Sequence, residues 1–242
     1  MARVTKLTPV GENRILNRLG SADFAALQPS LKRVPLVRGT ILHPPSTPID
    51  HVYFPLSGMV SLLAVMKNGD LIETGIVGRE GVVGASIANY GLYSFGQATV
   101  QIAGEAWQMR SDAFLKVFNA SEPFRLAING FQSVILLQAQ QSAACHALHS
   151  VEARLCRWLL QSQDVIESDT IPLTQEFLSH MLGVQRNSVS LAATTLNERG
   201  LIEYSRGSIK IVDRPGLQNC SCECYEVVHD YVGRIIKSGK SK

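Results

Sequence analysis

The 242 residues are 45% hydrophobic and 18% charged, with a net charge of +3 and a mean hydropathy of +0.08. That balance supplies enough apolar side chains for one or two packed domains and excludes a disordered majority. The charge is compatible with a nucleic-acid partner but too mild to point to one.

The first twenty residues alternate charged and apolar groups, and the longest tempting apolar run, 134–137, is far too short to cross a bilayer. A cytoplasmic protein without membrane contact is expected. The five cysteines are an odd number, three of them in Cys220-Ser221-Cys222-Glu223-Cys224, which is not the framework of a disulfide-rich secreted domain.

In chain order, Ile15, Leu16, Leu19, Phe24 and Leu27 around Gly20-Ser21 predict two short helices. From residue 31 the pattern turns to short strands, at 34–37, 40–43, 51–54, 59–66, 71–77, 97–102 and 105–109. Their separators are strong turn formers, and Lys67-Asn68-Gly69-Asp70 is the clearest hairpin signal. Many short strands with regular turns predict a jelly-roll-like β-roll.

After Arg110 the sequence becomes helical. Ser111-Asp112 should cap a short helix carrying Phe114, Leu115, Val117 and Phe118, and Ser121-Glu122-Pro123 should start a much longer one. No proline interrupts it up to about residue 162, with a bend or break expected near His149-Ser150. Phe124, Ile128, Phe131 and Ile135 repeat at 4, 3 and 4 residues, with Gln138 in the same register; a buried core helix would show the same repeat, but a dimer seam is the expectation. Val151, Leu155, Trp158 and Leu159 then predict a helix closing a small C-terminal domain.

Residues 171–212 organise the rest. Thr174 suits an N-cap, and Phe177, Leu178 and Met181 give an apolar helical stripe that stops at Gly183. A second helix restarts near Arg186, burying Val189, Ala193 and Leu196 and leaving Arg186, Asn187, Ser190 and Thr194 on its other side. Gly200 ends it, and strand-like runs at 201–204 and 208–212 flank Arg206-Gly207. This is the pattern of a winged helix-turn-helix.

The order of parts resembles the Crp/Fnr family of bacterial transcription regulators. The resemblance is most specific at Thr174-Gln175-Glu176, Leu182-Gly183-Val184, Arg186-Asn187-Ser188-Val189 and Arg199-Gly200-Leu201-Ile202. It implies an α+β chain: an N-terminal β-roll sensor (1–120), a long central dimerisation helix (121–150) and a C-terminal winged helix-turn-helix (151–218), followed here by a Cys-rich tail (219–242). It also implies a homodimer on two-fold related sites in double-stranded DNA, with RNA polymerase as a further candidate partner. Cyclic-nucleotide-binding members carry a Gly-Glu pair and a later arginine, whereas here Ala85 follows Gly84 and Gln97-Ala98-Thr99 stands where the arginine would be. Charge-assisted phosphate binding is therefore lost, and the small-molecule effector is left unnamed. Cluster-holding members use N-terminal cysteines, and none precedes Cys145.

Arg186 is the leading DNA-contact candidate, since an arginine can grip the guanine major-groove edge with two hydrogen bonds, as Asn187 can with adenine. Gln185, Ser188 and Ser190 are further base or phosphate contacts, Thr174 and Gln175 a phosphate site at a helix start, and Arg206 and Lys210 phosphate neutralisers on the wing. Gly78, Gly81, Gly84, Gln97 and Thr99 are candidate ligand-pocket residues. Cys145 and His149, four apart on one helix face with His146 between, suggest a metal site, as does the cysteine cluster with His229. Its single-residue spacers do not match common zinc spacing, so a solvated tail, no metal and no cofactor are expected. No acid, base and oxyanion constellation marks an enzyme. The alternative reading is a β-roll sensor or interaction module governed by thiol or metal chemistry.

Overall fold

The computed structural model describes residues 13–91, 93–173, 175–205 and 207–238. Asn13 pins the start: its amide donates to the Pro55 and Gly81 carbonyls at 3.0 and 2.8 Å, and its Oδ1 accepts from the Ile15 and Leu16 N–H groups. A 3-10 turn, Leu16–Arg18, helix α1 (Ser21–Leu27) and a second 3-10 turn, Gln28–Ser30, follow, where two short helices are predicted.

Seven strands come next: β1 (Lys32–Leu36), β2 (Ile41–His43), β3 (His51–Pro55), β4 (Met59–Val65), β5 (Leu71–Val77), β6 (Gln97–Ile102) and β7 (Gly104–Arg110), with the short helix α2 (Ile87–Tyr90) before β6. They form two antiparallel sheets, ordered β1-β7-β3 and β2-β6-β4-β5. The β4–β5 hairpin turns where Asn68 Oδ1 accepts from the Asp70 N–H at 3.1 Å, a side chain standing in for a backbone turn bond. The predicted strands match these within a few residues.

Helix α3 (Ser111–Ala120) and helix α4 (Glu122–Leu148) close the β-roll. Ser121 caps α4 as predicted, accepting from the Phe124 N–H at 3.1 Å. Ser111 does not cap α3; its hydroxyl donates to the Ile49 carbonyl instead. The rings of Phe54, Phe114 and Phe124 meet at centroid distances of 5.4–6.5 Å and form the centre of the first core.

The expected dimer seam lies inside the protomer. Phe124, Ile128 and Phe131 are 0%, 0% and 4% exposed, and Ile135 packs against the same core. Gln138 is also buried, its Oε1 accepting from the Ile76 N–H at 2.8 Å and its Nε2 donating to the Ile76 carbonyl at 3.3 Å. A 3–4 repeat marks an apolar helix face without saying what covers it, and here the β-roll covers it. The opposite face of α4 exposes Leu126, Asn129, Ser133, Leu136, Gln140, Ala143 and Ala147, which also step by 3 and 4.

Helix α5 (Val151–Ile166) restarts after the predicted break, with Ser150 as its cap. Strand β8 (Thr170–Pro172), helices α6 (Gln175–Leu182) and α7 (Arg186–Glu198), and strands β9 (Ile202–Ser205) and β10 (Ser208–Ile211) follow. Their core takes in Leu155, Trp158, Leu178, Val189 and Leu196 and is continuous with Met59, Leu63, Ile76 and Ile102 of the β-roll. This second core therefore spans both halves.

At their junction Glu73 is buried. Its carboxylate accepts from Ser61 Oγ at 2.5 Å and from Trp158 Nε1 at 2.8 Å. A cavity of about 10 Å³, the size of one water, lies beside it against Gln138, Ser142 and Arg157. Burial pushes the Glu73 carboxyl up to about 7, with the Ser61 and Trp158 hydrogen bonds and the Arg157 charge opposing.

The tail is not solvated. Helices α8 (Arg214–Cys220) and α9 (Cys224–Ser238) are folded, and α9 runs back along α4 from Cys224 beside Gln141 to Ile235 beside Gly130. Tyr231, Val232 and Ile235 pack onto the first core, so an apolar stripe rather than the cysteines sets the fate of this segment.

In the unfolded chain Glu73 ionises near its ordinary 4.5, whereas in the folded chain it holds its proton to about 7. Stability should therefore fall as pH rises through that window, by on the order of 3 kcal/mol. Denaturant titrations of Glu73→Gln and the parent chain should diverge from pH 4.5 to 7, the variant gaining relative stability; parallel profiles would contradict the assignment.

Candidate nucleic-acid interface

Helix α6 ends at Gly183, whose φ of +59° lies in the left-handed region. The Gly183 N–H bonds the His180 carbonyl at 3.2 Å and the Val184 N–H bonds the Ser179 carbonyl at 3.0 Å, closing the helix end with a Schellman pair. Gly200, at φ +71°, ends α7 in the same way through the Asn197 and Leu196 carbonyls. These two glycines fix where α7 begins and stops.

Val189, Ala193 and Leu196 face the core as predicted, and Ala192 joins them. The outward face presents Arg186, Asn187, Leu191 and Thr194, with Ser188 and Ser190 half-buried and Gln185 exposed just before the helix. The Ser190 hydroxyl donates to the Arg186 carbonyl at 3.0 Å, leaving only its acceptor side for a partner. Leu191 is 71% exposed in the middle of this polar face, a position to which the sequence pattern assigned no role. Gln185 stands at the N-cap without making a side-chain cap bond.

The wing rests on a three-stranded sheet, β8-β10-β9. Strand β8 is absent from the sequence prediction because three residues ending in proline carry no periodicity. Lys210 is exposed on β10 and pairs with Glu203 across the hairpin at 3.2 Å. The Tyr204 N–H bonds Asn197 Oδ1 at 3.2 Å, which ties the wing to the end of α7. Gln175 opens α6, while Thr174 and Arg206 lie outside the described residues.

The five expected pocket residues do not meet in one cavity. The space a Cβ would need is filled by Val165 at Gly78, by the Phe131 ring at Gly81 and by His43 at Gly84, so these glycines let helices and loops approach the β-roll. Gln97 Nε2 donates to Thr99 Oγ1 at 2.9 Å along β6. A cavity of about 240 Å³ lies nearby, between the β-roll, α4, α5 and α9, and none of the five lines it. Its polar walls are Arg14, Glu80, Gln138, Gln161, Asp164 and His229. Burial pushes the Glu80 carboxyl up, against the Gly78 N–H it accepts from at 2.8 Å and the nearby Arg14 and Arg79 charges. Tyr225, also on the wall, donates to Asp164 at 2.8 Å; burial and that carboxylate push its hydroxyl up to about 12.

Residues 153–220 match the family model of the Crp-like helix-turn-helix domain. The chain carries a Crp-like helix-turn-helix domain on the Crp/Fnr fold. It is a DNA-binding transcription regulator.

Solved structures share the Crp/Fnr fold over most of the chain. FixK2 from Bradyrhizobium japonicum is 15% identical, with a TM-score of 0.68 over 79% of this chain and 98% of its own. The c-di-GMP-responsive global regulator CLP of Xanthomonas campestris is 17% identical, with a TM-score of 0.66 over 79% and 99%. A Crp/Fnr-family transcriptional regulator from Thermus thermophilus is 20% identical, with a TM-score of 0.66 over 78% and 98%. No curated protein matches the regulator in sequence. No helix among its described residues is long and apolar enough to cross a membrane.

Replacing Gly183 by alanine forces a Cβ into a left-handed backbone, with Ile72 side-chain atoms 3.4 Å away. The expected loss is about 1–2 kcal/mol, read as a lower Tm in thermal unfolding. An unchanged Tm would show that the turn does not need a left-handed residue.

Proposed function

We propose that the regulator works as a cytoplasmic homodimer that reads two-fold related half-sites on double-stranded DNA and alters transcription in response to a small molecule. The observation that carries this reading is the outward face of α7, where Arg186, Asn187, Leu191 and Thr194 stand exposed on a helix of the right type. Arg186 is assigned to a guanine edge, Asn187 to an adenine edge and Leu191 to a thymine methyl group. Gln185, Ser188 and Ser190 add base or phosphate contacts. Thr174, Gln175, Arg206 and Lys210 serve the phosphate backbone, with Glu203 competing for Lys210.

The dimer contact is assigned to the outer stripe of α4. Leu126 and Leu136 are 64% and 60% exposed, and polar Asn129, Ser133 and Gln140 in the same stripe would fix its register. Two α7 helices would then enter successive major grooves about 34 Å apart. The cavity of about 240 Å³ is the proposed effector site, its walls carrying both charge signs. RNA polymerase is a partner under this reading, and regulation rather than catalysis is the role.

Selection of bound fragments from genomic DNA, with and without cell extract, gives the operator and shows whether a small molecule is required. Against that operator, Arg186→Ala should lose ~1–3 kcal/mol of specific binding, while Glu203→Gln should steepen the salt dependence by releasing Lys210. Leu136→Glu should sediment as a folded monomer with weakened operator binding; a variant that stays dimeric would remove α4's outer stripe from the interface. A stable regulator that binds no genomic fragment at low salt would reject the proposed function itself.

A further inference from the structure

The most concentrated unassigned chemistry lies where α4 ends. Cys145 lies in the last turn of α4 and His149 is the residue that caps its end, while Cys222 lies in the link between α8 and α9 and Cys224 opens α9. One donor atom from each of the four residues lies within 4.8 Å of the others. Cys145 Sγ stands 3.5 Å from Cys222 Sγ, and Cys224 Sγ stands 3.5 Å from His149 Nδ1. An ion about 2.3 Å from sulfur and 2.0–2.1 Å from nitrogen in a tetrahedron requires ligand separations of roughly 3.5–3.8 Å. Cys145 and Cys224 are fully buried and Cys222 nearly so.

The surroundings point the same way. Glu223 holds His149 Nε2 at 3.2 Å, on the side of the ring away from the thiols, which leaves the Nδ1 lone pair facing them. A carboxylate on the far ring nitrogen is the usual support of a metal-binding histidine. Gln141 Nε2 donates to Cys224 Sγ at 3.1 Å. Arg154 is 6% exposed, its Nε makes no hydrogen bond, and its charge faces Cys145 and Cys222. A buried cation needs an anionic partner, and a divalent ion with three thiolates carries one net negative charge.

We propose that Cys145, His149, Cys222 and Cys224 form a closed tetrahedral site for a zinc-class divalent ion. Four protein ligands leave no open position, so the ion is structural rather than catalytic. As each sulfur bonds the ion its thiol proton passes to water, while His149 binds through its neutral ring. The ion would fasten the start of α9 to the end of α4, at the joint where His149-Ser150 separates α4 from α5. Cys220 stands apart, accepting from Arg199 at 2.9 Å, and His229 pairs with Asp164 at 3.3 Å.

The test uses the full chain, purified under reducing conditions, stripped with a chelator and titrated with Co²⁺ alone. One equivalent per chain should bind with the intense visible bands of a tetrahedral thiolate site. Zn²⁺ should displace it, and Cys145, Cys222 and Cys224 should react with a thiol reagent more slowly than in the metal-free chain. Cys222→Ser and Glu223→Gln should each weaken binding by roughly 10–100-fold, Glu223 being an exposed residue whose change leaves the fold intact. Cys220→Ser should bind as the parent does. No uptake by the folded, reduced chain would overturn the proposal, as would the weak bands of an octahedral site or an equal loss in Cys220→Ser. Recovery of a Cys145–Cys222 disulfide that no reductant converts to a metal-binding form would overturn it too.

Discussion

Burial of Phe124, Ile128 and Phe131 against the β-roll decides which surfaces of α4 remain for other work. A helix has room for about three contact faces, and α4 uses one for the β-roll core and a second for α9. The third, from Leu126 to Ala147, faces outward. Gln138 fixes the helix's rotation by clasping both polar groups of the Ile76 backbone, because a turn of one residue would leave a buried amide without partners. The position of every later element follows from that rotation, since α5 leaves from the end of α4.

The same constraint explains why the β-roll and the DNA-binding domain are not joined by a loose linker. Met59, Leu63 and Ile76 supply β-roll side chains to a core completed by Leu178 and Met181 of α6. Glu73, Ser61 and Trp158 add a directional lock inside that apolar contact. A buried carboxyl contributes little net stability, but its hydrogen bond from Trp158 holds only in one relative placement of the halves. Specific placement matters more here than strength, because under the proposed function α7 reads DNA only if it stands in a defined orientation.

The strands and the helix-turn-helix were legible in the sequence because their signals are local. Asn68-Gly69-Asp70 forms its own turn, and Gly183 and Gly200 each close a helix with bonds from the same few residues. The seam of α4 was legible as an apolar face but not as an inner one, since periodicity does not identify the covering partner. The glycines at 78, 81 and 84 suggested a ligand loop, yet each is small because another element presses on it. The cysteines were hardest to read: two donors come from the end of α4 and its cap and two from around the start of α9 some 75 residues later, so no spacing along the chain describes the set. Leu191 was given no role for a related reason, as a single apolar residue on a polar face does not say what it meets.

The outer stripe of α4 is also graded in size. Leu126 and Leu136 lie in its first two-thirds, whereas Ala143 and Ala147 occupy the last turns before α5. Helix axes approach more closely where the facing side chains are small, within the usual 8–10 Å range. In the proposed dimer the two α4 helices would therefore converge towards the DNA-binding end. The volume of two alanine methyl groups then becomes a gauge for the distance between recognition helices, and so for the spacing of half-sites the regulator can span.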